Sequence, residues 1–450
     1  MSTASPSSTT WNPLYFLGAL GAGGVAVTFF LWLLFHVPHP GRAVPTATDI
    51  QSAIAAGGPF ARAAIIVALA GIAVAATTHV TLLARHLRYF ATWRGTPTWR
   101  ELRRSNDETR LMAAPLTLAM TLNVGFICGL VFVPGLWSVV EWLFPLAILG
   151  FLLIGVWALS IFADFWSRVL NDGGFDCNAN NSFAQLMPAF ALVMVAVGLA
   201  APAAMSATTA TAITALVASS LFLTTALAAG AIKLVLGVRA MLEHGADPES
   251  APTLWLVVPI LTVAAITWMR QSHGLAVHVD GGHGSGMLVF LLNAAALQLA
   301  FFAVGWLVLG RQRYFARFVF GPEWRSGAYS LVCPLVALAV MGQFLLHEGF
   351  VAGDVLIKYG TAYWIAMVPI LALQVTAIVV LAALIAKERR HTANGFDDAA
   401  AAAASDQRED LRMPLPSRPL GSVGWRHGTI SDLPGGAALR PTHSAGDGER

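Results

Sequence analysis

Residues 184–204 read AQLMPAFALVMVAVGLAAPAA, 21 residues without one charged side chain. The hydrocarbon layer of a bilayer is about 30 Å thick and a helix rises about 1.5 Å per residue, so about 20 such residues cross it. Working outward, comparable runs lie near residues 13–36, 61–84, 111–133 and 139–163 before it, and near 208–236, 252–269, 287–309, 327–347 and 362–386 after it. That makes ten. The chain of 450 residues is 56% hydrophobic and 11% charged, more apolar surface than one soluble core can hide. The expected fold class is an all-α polytopic membrane protein, which points to transport rather than to an enzyme.

The first run has no basic segment before it, is too long for a signal peptide and is followed by no cleavage pattern, so it reads as a retained anchor. With both termini placed in the cytoplasm, the inner loops hold seventeen Lys and Arg, among them Arg85, Arg103, Arg168, Lys233, Arg325 and Lys387. The outer loops hold only Arg42, Arg62, Arg270 and Lys358. This asymmetry is the one expected when basic residues resist translocation, and a single miscounted span would destroy it. The expected location is the plasma membrane, or the inner membrane of a Gram-negative cell. Residues 1–10, rich in Ser and Thr, and residues 391–450, rich in Ala, Asp, Pro and Gly, lack apolar periodicity and read as disordered, leaving 11–390 as the membrane domain.

Four prolines recur in every second run: Pro115, Pro188, Pro259 and Pro334, separated by 73, 71 and 75 residues. A helical hairpin therefore repeats five times, as in transporters and channels built around a central axis. Proline interrupts the helical hydrogen-bond ladder, and backbone so disturbed is tolerated best away from lipid. The odd-numbered helices, kinked at these prolines, are expected to form the inner ring. The first run carries Gly18, Gly21, Gly23 and Gly24 instead, which permit close helix approach. Pro145, Pro202 and Pro369 break the alternation.

The stretches Leu111-Met-Ala-Ala-Pro115-Leu-Thr-Leu-Ala-Met120, Ser250-Ala-Pro-Thr-Leu-Trp-Leu-Val-Val-Pro259 and Gly327-Ala-Tyr-Ser-Leu-Val-Cys-Pro334, set within ten spans, resemble the third, seventh and ninth helices of the tellurite-resistance/dicarboxylate transporter family, which includes the plant slow anion channels. The resemblance covers roughly residues 10–390. It implies five tandem hairpins around a central pore, odd helices lining it, a homotrimer, and passage of small anions without a cofactor. It also implies a phenylalanine gate directly before the ninth-helix proline, where this chain has Cys333. Met187 or Phe190 could supply an apolar constriction instead.

The central stretches of the odd spans hold no Asp, Glu, Lys or Arg. Intramembrane charges mark coupling-ion sites and proton relays, so their absence favours passive conduction. The expected pore contacts are neutral polar groups, Thr117, Thr121, Asn123, Gln185, Thr262, Ser330 and Gln343, with Met187, Pro188, Phe190, Pro259, Cys333 and Pro334 around them. Each polar group has an alternative role as an interhelical hydrogen bond. Two rivals remain: a proton-coupled exporter of oxyanions or C4-dicarboxylates, with Glu141 or His79 as titratable groups, and a membrane redox protein using Cys128 and Cys333. Fourteen residues separate those cysteines relative to their prolines, about 21 Å of helix axis, too far for a disulfide.

The segment Asp176 to Met187 begins like a calcium loop but has Asn181 where glycine is required, so it reads as a polar connector. His273, His278, Asp280 and His283 lie in a glycine-rich outer loop that does not preorganise a metal site. His79 is read as an interhelical hydrogen-bond donor. The basic segment Arg94–Arg110 beside Trp93 and Trp99 is read as headgroup anchoring, with no nucleic-acid partner.

Overall fold

The computed structural model describes residues 11–173, 175–176, 181–248, 250–277 and 286–410. Among these residues there is no strand. Ten helices are long and apolar enough to cross a membrane: α1 (Pro13–His36), α2 (Pro59–Trp93), α3 (Asn106–Phe132), α4 (Leu136–Asp172), α5 (Phe183–Met205), α6 (Thr209–His244), α7 (Ala251–Leu275), α8 (Met287–Arg311), α9 (Ser326–Val351) and α10 (Thr361–Thr392). The protein is thus an all-α polytopic membrane protein. All ten helices lie in a unit ending at Phe396.

Burial separates the helices into two layers. The apolar window of α5 is 94% buried and the least buried odd window, that of α3, is 50% buried, whereas no even window exceeds 33%. The even helices instead expose large apolar side chains at helical spacing, such as Leu146, Leu149, Leu153 and Val156 on α4. Bare in water, such a stripe is costly; against lipid it is at home. The odd helices form a closed ring in which α1 packs on α3, α3 on α5, α5 on α7, α7 on α9, and α9 back on α1.

The glycines of α1 close that ring. A Cβ on Gly18 would lie 3.0 Å from the Tyr329 ring, one on Gly21 2.9 Å from Val332 Cγ1, and one on Gly24 2.8 Å from Val336 Cγ1. The three-residue spacing puts all three on one face, against α9. Their lack of a side chain sets the α1–α9 distance.

Every odd helix begins with a 3₁₀ segment: Pro13–Tyr15, Asn106–Met112, Phe183–Leu186, Ala251–Leu256 and Ser326–Leu331. These five segments also pack in a closed ring. Pro115, Pro188, Pro259 and Pro334 occupy the second or third residue of the α-segments that follow, Ala113–Phe132, Met187–Met205, Val257–Leu275 and Val332–Phe344. The expectation of mid-helix kinks at these prolines is therefore corrected. They stand in the first α-turn, where a missing N–H costs least, and mark the change from 3₁₀ to α geometry. Pro145, Pro202 and Pro369 are the ones inside helices.

Polar locks hold the end of the ring where the odd helices start. Glu108, 1% exposed, accepts from Arg103 Nε at 3.1 Å and Arg168 Nη2 at 3.0 Å. Glu388, 2% exposed, accepts from Arg85 at 2.5 Å and from the Tyr329 hydroxyl, tying α10 to α2 and α9. Lys233 of α6 donates to Gln185 at 3.0 Å and lies over the Phe165 and Phe175 rings.

The last helix is described as far as Asp410. Its alanine run 399–404 has the highest intrinsic helix propensity. Residues 1–10 and 411–450 lie outside the described residues, as do Cys177, Asn178, Asn180, His278, Asp280 and His283.

Candidate functional site: a cavity inside the odd-helix ring

A cavity of about 1030 Å³ occupies the centre of the ring. Each odd helix contributes a stripe at helical spacing. On α7 it is Pro259, Thr262, Val263, Ile266, Met269, Arg270 and His273; on α9 it is Cys333, Val336, Ala337, Val340, Phe344, His347 and Glu348. The first lining residue along each odd helix is Leu20, Met120, Phe190, Pro259 or Cys333. These five apolar groups form the floor, and beyond them lies the ring of 3₁₀ segments. At the other end the cavity reaches the connecting residues His39, Arg42, Lys358 and Tyr359.

The expected pore residues divide in two. Asn123, Phe190, Pro259, Thr262 and Cys333 line the cavity. Thr117, Thr121, Gln185, Met187, Pro188, Ser330, Pro334 and Gln343 do not, and the polar members among them are engaged in helix packing. Thr117 Oγ1 donates to Ala113 O at 2.8 Å, Thr121 Oγ1 to Thr117 O at 2.9 Å, and Ser330 Oγ to Gly327 O at 2.6 Å. Gln185 accepts from Lys233, and Gln343 Nε2 faces the Met367 sulfur at 3.6 Å. Even Thr262 has structural partners, since it accepts from Gln298 Nε2 at 2.5 Å. His79 bridges Ala19 O at 2.7 Å and the Thr121 hydroxyl at 2.9 Å, as an interhelical link should. Asn123 is half-buried on the wall, its amide donating to Ala119 O at 3.1 Å. Glu141 is remote from the cavity wall and caps the start of α6, accepting from Ser206 Oγ at 2.7 Å and Ala207 N at 2.8 Å.

Charge enters the cavity from residues that hydropathy alone assigns to outer loops. Arg270 lies within α7, five residues before its end, and donates from Nη1 to Val197 O on α5 at 3.1 Å. Lys358 Nζ donates to Phe35 O at 2.7 Å. Neither meets a carboxylate among the described residues within salt-bridge distance. Arg42 does, pairing with Asp49, which also accepts from the Thr46 amide at 2.8 Å and hydroxyl at 2.7 Å in a capping box. Burial works against the charge of Asp49, but the Thr46 and Arg42 donors outweigh it and hold the carboxyl below its usual range. Burial lowers the pKa of Lys358 from its ordinary value of 10.5. The wall thus carries three cations, Arg270, Lys358 and the Asp49-paired Arg42, against one carboxylate, Glu348, which stands within electrostatic reach of His273.

The end of α9, Leu345–Val351, is a π-helical turn that carries His347 and Glu348. Such turns redirect side chains and recur at functional sites. His347 stacks on Phe35 at 4.1 Å between ring centroids, and a Tyr363 hydroxyl behind it connects to His36 of α1. Cys128 and Cys333 are both free thiols, and only Cys333 lies on the wall. The sequence signal for Arg270 and His347 was present: both continue the three- and four-residue steps that start at Pro259 and Cys333.

Compared with known proteins, the chain matches no family model and no curated protein sequence. Ten apolar helices about a hollow inner ring are the general build of a membrane transporter or channel.

Proposed function

We propose that the protein passes small anions across the membrane through the cavity inside the odd-helix ring. The observation that carries this reading is the charge of the wall: Arg270 and Lys358 donate to backbone carbonyls and, among the described residues, meet no carboxylate within salt-bridge distance, Arg42 is paired with Asp49, and the wall carries one carboxylate, Glu348. A guanidinium whose neighbours are carbonyl oxygens keeps its full charge for an ion in the cavity, and low-dielectric walls strengthen its field. An anion entering from the end at the connecting residues meets Arg42 and Lys358, then Arg270, then neutral Asn123 and Thr262. It reaches the apolar floor of Leu20, Met120, Phe190, Pro259 and Cys333, which acts as the constriction, Phe190 supplying the bulk that Cys333 lacks.

In this reading the end at the connecting residues faces outward and both termini lie in the cytoplasm, in keeping with the basic loops. The assembly is a homotrimer of such units in a plasma membrane. A proton-coupled exporter of oxyanions or C4-dicarboxylates is the second reading, supported by the histidines on the wall, His36, His39, His273 and His347. Liposomes containing the purified protein separate the two. Flux of chloride, nitrate or sulfite driven by membrane potential with the pH gradient collapsed supports the channel; strict dependence on the gradient supports the exporter; no anion movement under either condition refutes both.

A further inference from the structure

We propose that His36, Tyr363 and His347 form a binding site for a single proton on the cavity wall, and that loading it raises anion passage; the second half of this proposal rests on the reading above. The site joins three helices: His36 ends α1, His347 lies in the π turn of α9, and Tyr363 opens α10. The two histidines line the cavity, while Tyr363 is fully buried behind them.

The argument is a count of hydrogens. The cluster makes four polar contacts: His36 Nδ1 to Trp32 O at 2.9 Å, His347 Nδ1 to Gln343 O at 2.8 Å, His36 Nε2 to Tyr363 Oη at 2.8 Å, and His347 Nε2 to Tyr363 Oη at 2.9 Å. A carbonyl oxygen can only accept, so neither backbone partner supplies a hydrogen. Two neutral imidazoles and one phenol bring three hydrogens to these four contacts. Whichever tautomers are chosen, one contact is left with two lone pairs face to face.

One added proton completes the set. Each Nδ1–H then donates to its carbonyl, one Nε2–H donates to the tyrosine oxygen, and the tyrosine O–H donates to the other Nε2. The positive charge is shared between two rings whose centroids are 5.4 Å apart. A second proton would put two like charges at that distance and leave the tyrosine hydrogen without an acceptor, so the site holds one.

The groups facing the cluster set its balance. Lys358 and Tyr359 face it from the α9–α10 connection and His39 from the segment after α1, Lys358 opposing the added charge. Glu348 follows His347 on α9, and the charged partner within its electrostatic reach is His273 of α7. Phe35 covers one face of His347. A loaded site adds a positive charge to the wall at the end where anions enter.

Two measurements test this. In isotope-labelled histidine NMR of the full protein, the wild type should show His36 and His347 taking up one proton between them as a coupled pair. Tyr363→Phe should uncouple them. In liposomes, potential-driven chloride flux should rise roughly five-fold as the pH on the side where anions enter falls from about 8 to about 5, the scale of one unit charge near the ion path. The double variant His36→Gln/His347→Gln should lose that rise, its own flux at the higher pH serving as reference. Independent titration of the two rings in the wild type, or an acid rise that survives in the double variant, overturns the proposal. If no anion moves at any pH, the anion reading fails, and the NMR titration alone decides for or against the proton site.

Discussion

Gly24 of α1 faces Val336 of α9 so closely that a Cβ on the glycine would lie 2.8 Å from Val336 Cγ1. Both residues line the cavity, so the contact that closes the inner ring also sets the width of the pathway. Gly24→Leu should cost about 1–3 kcal/mol through overpacking. Thermal unfolding in detergent should show the loss, and Gly24→Ala should show a smaller one.

Arg270 is the cation deepest in α7, held by Val197 O at 3.1 Å. Arg270→Gln should reduce potential-driven anion flux about ten-fold, while Arg270→Lys, which keeps the charge, should retain most of it. Equal loss in both variants would assign Arg270 to packing rather than to the field.

Lys358 gives a basic limb to the pH dependence. Burial lowers its pKa below the ordinary 10.5, so its charge disappears as pH rises through a value under that of a free lysine. Anion flux should therefore fall on the alkaline side before an ordinary lysine would titrate. Lys358→Gln should remove this limb and leave any acid rise in place, which flux measured across an alkaline pH series checks.

Cys333 lies in the floor of the cavity, and Cys128 does not line it. A small thiol reagent added from the side where anions enter should block flux in the wild type and in Cys128→Ser, but not in Cys333→Ser. Retained flux in Cys333→Ser also separates transport from cysteine redox chemistry.

Glu388 receives both Arg85 and Tyr329 while 2% exposed. Glu388→Ala should destabilise the protein by about 3 kcal/mol, because Arg85 loses its buried partner. Tyr329→Phe should cost less, and thermal unfolding of the two variants ranks them.

The layered fold was legible because it rests on hydropathy and spacing. The proline period near 73 residues placed the inner helices, and Gly18, Gly21, Gly23 and Gly24 indicated close approach of a neighbouring helix without identifying it as α9. The 3₁₀ ring was not legible, since Leu331 or Leu256 suits either helix type and the choice depends on packing. Several of the neutral polar residues take the packing role for a physical reason. In helices, Thr and Ser hydroxyls bond the carbonyl three or four residues back, so Thr117, Thr121 and Ser330 satisfy themselves locally. Charges at span ends were assigned to loops because hydropathy falls at Arg270 although the helix runs on to Leu275. Following the cavity-facing stripe from Pro259 would have recovered it.

The central claim is that the ring conducts anions. Its most direct test is the reversal potential of the purified protein in a planar bilayer under a chloride gradient. A reversal potential close to that of chloride, moving toward zero in Arg270→Gln, is the predicted result. A reversal potential at the cation value, or no current under any gradient, would contradict it.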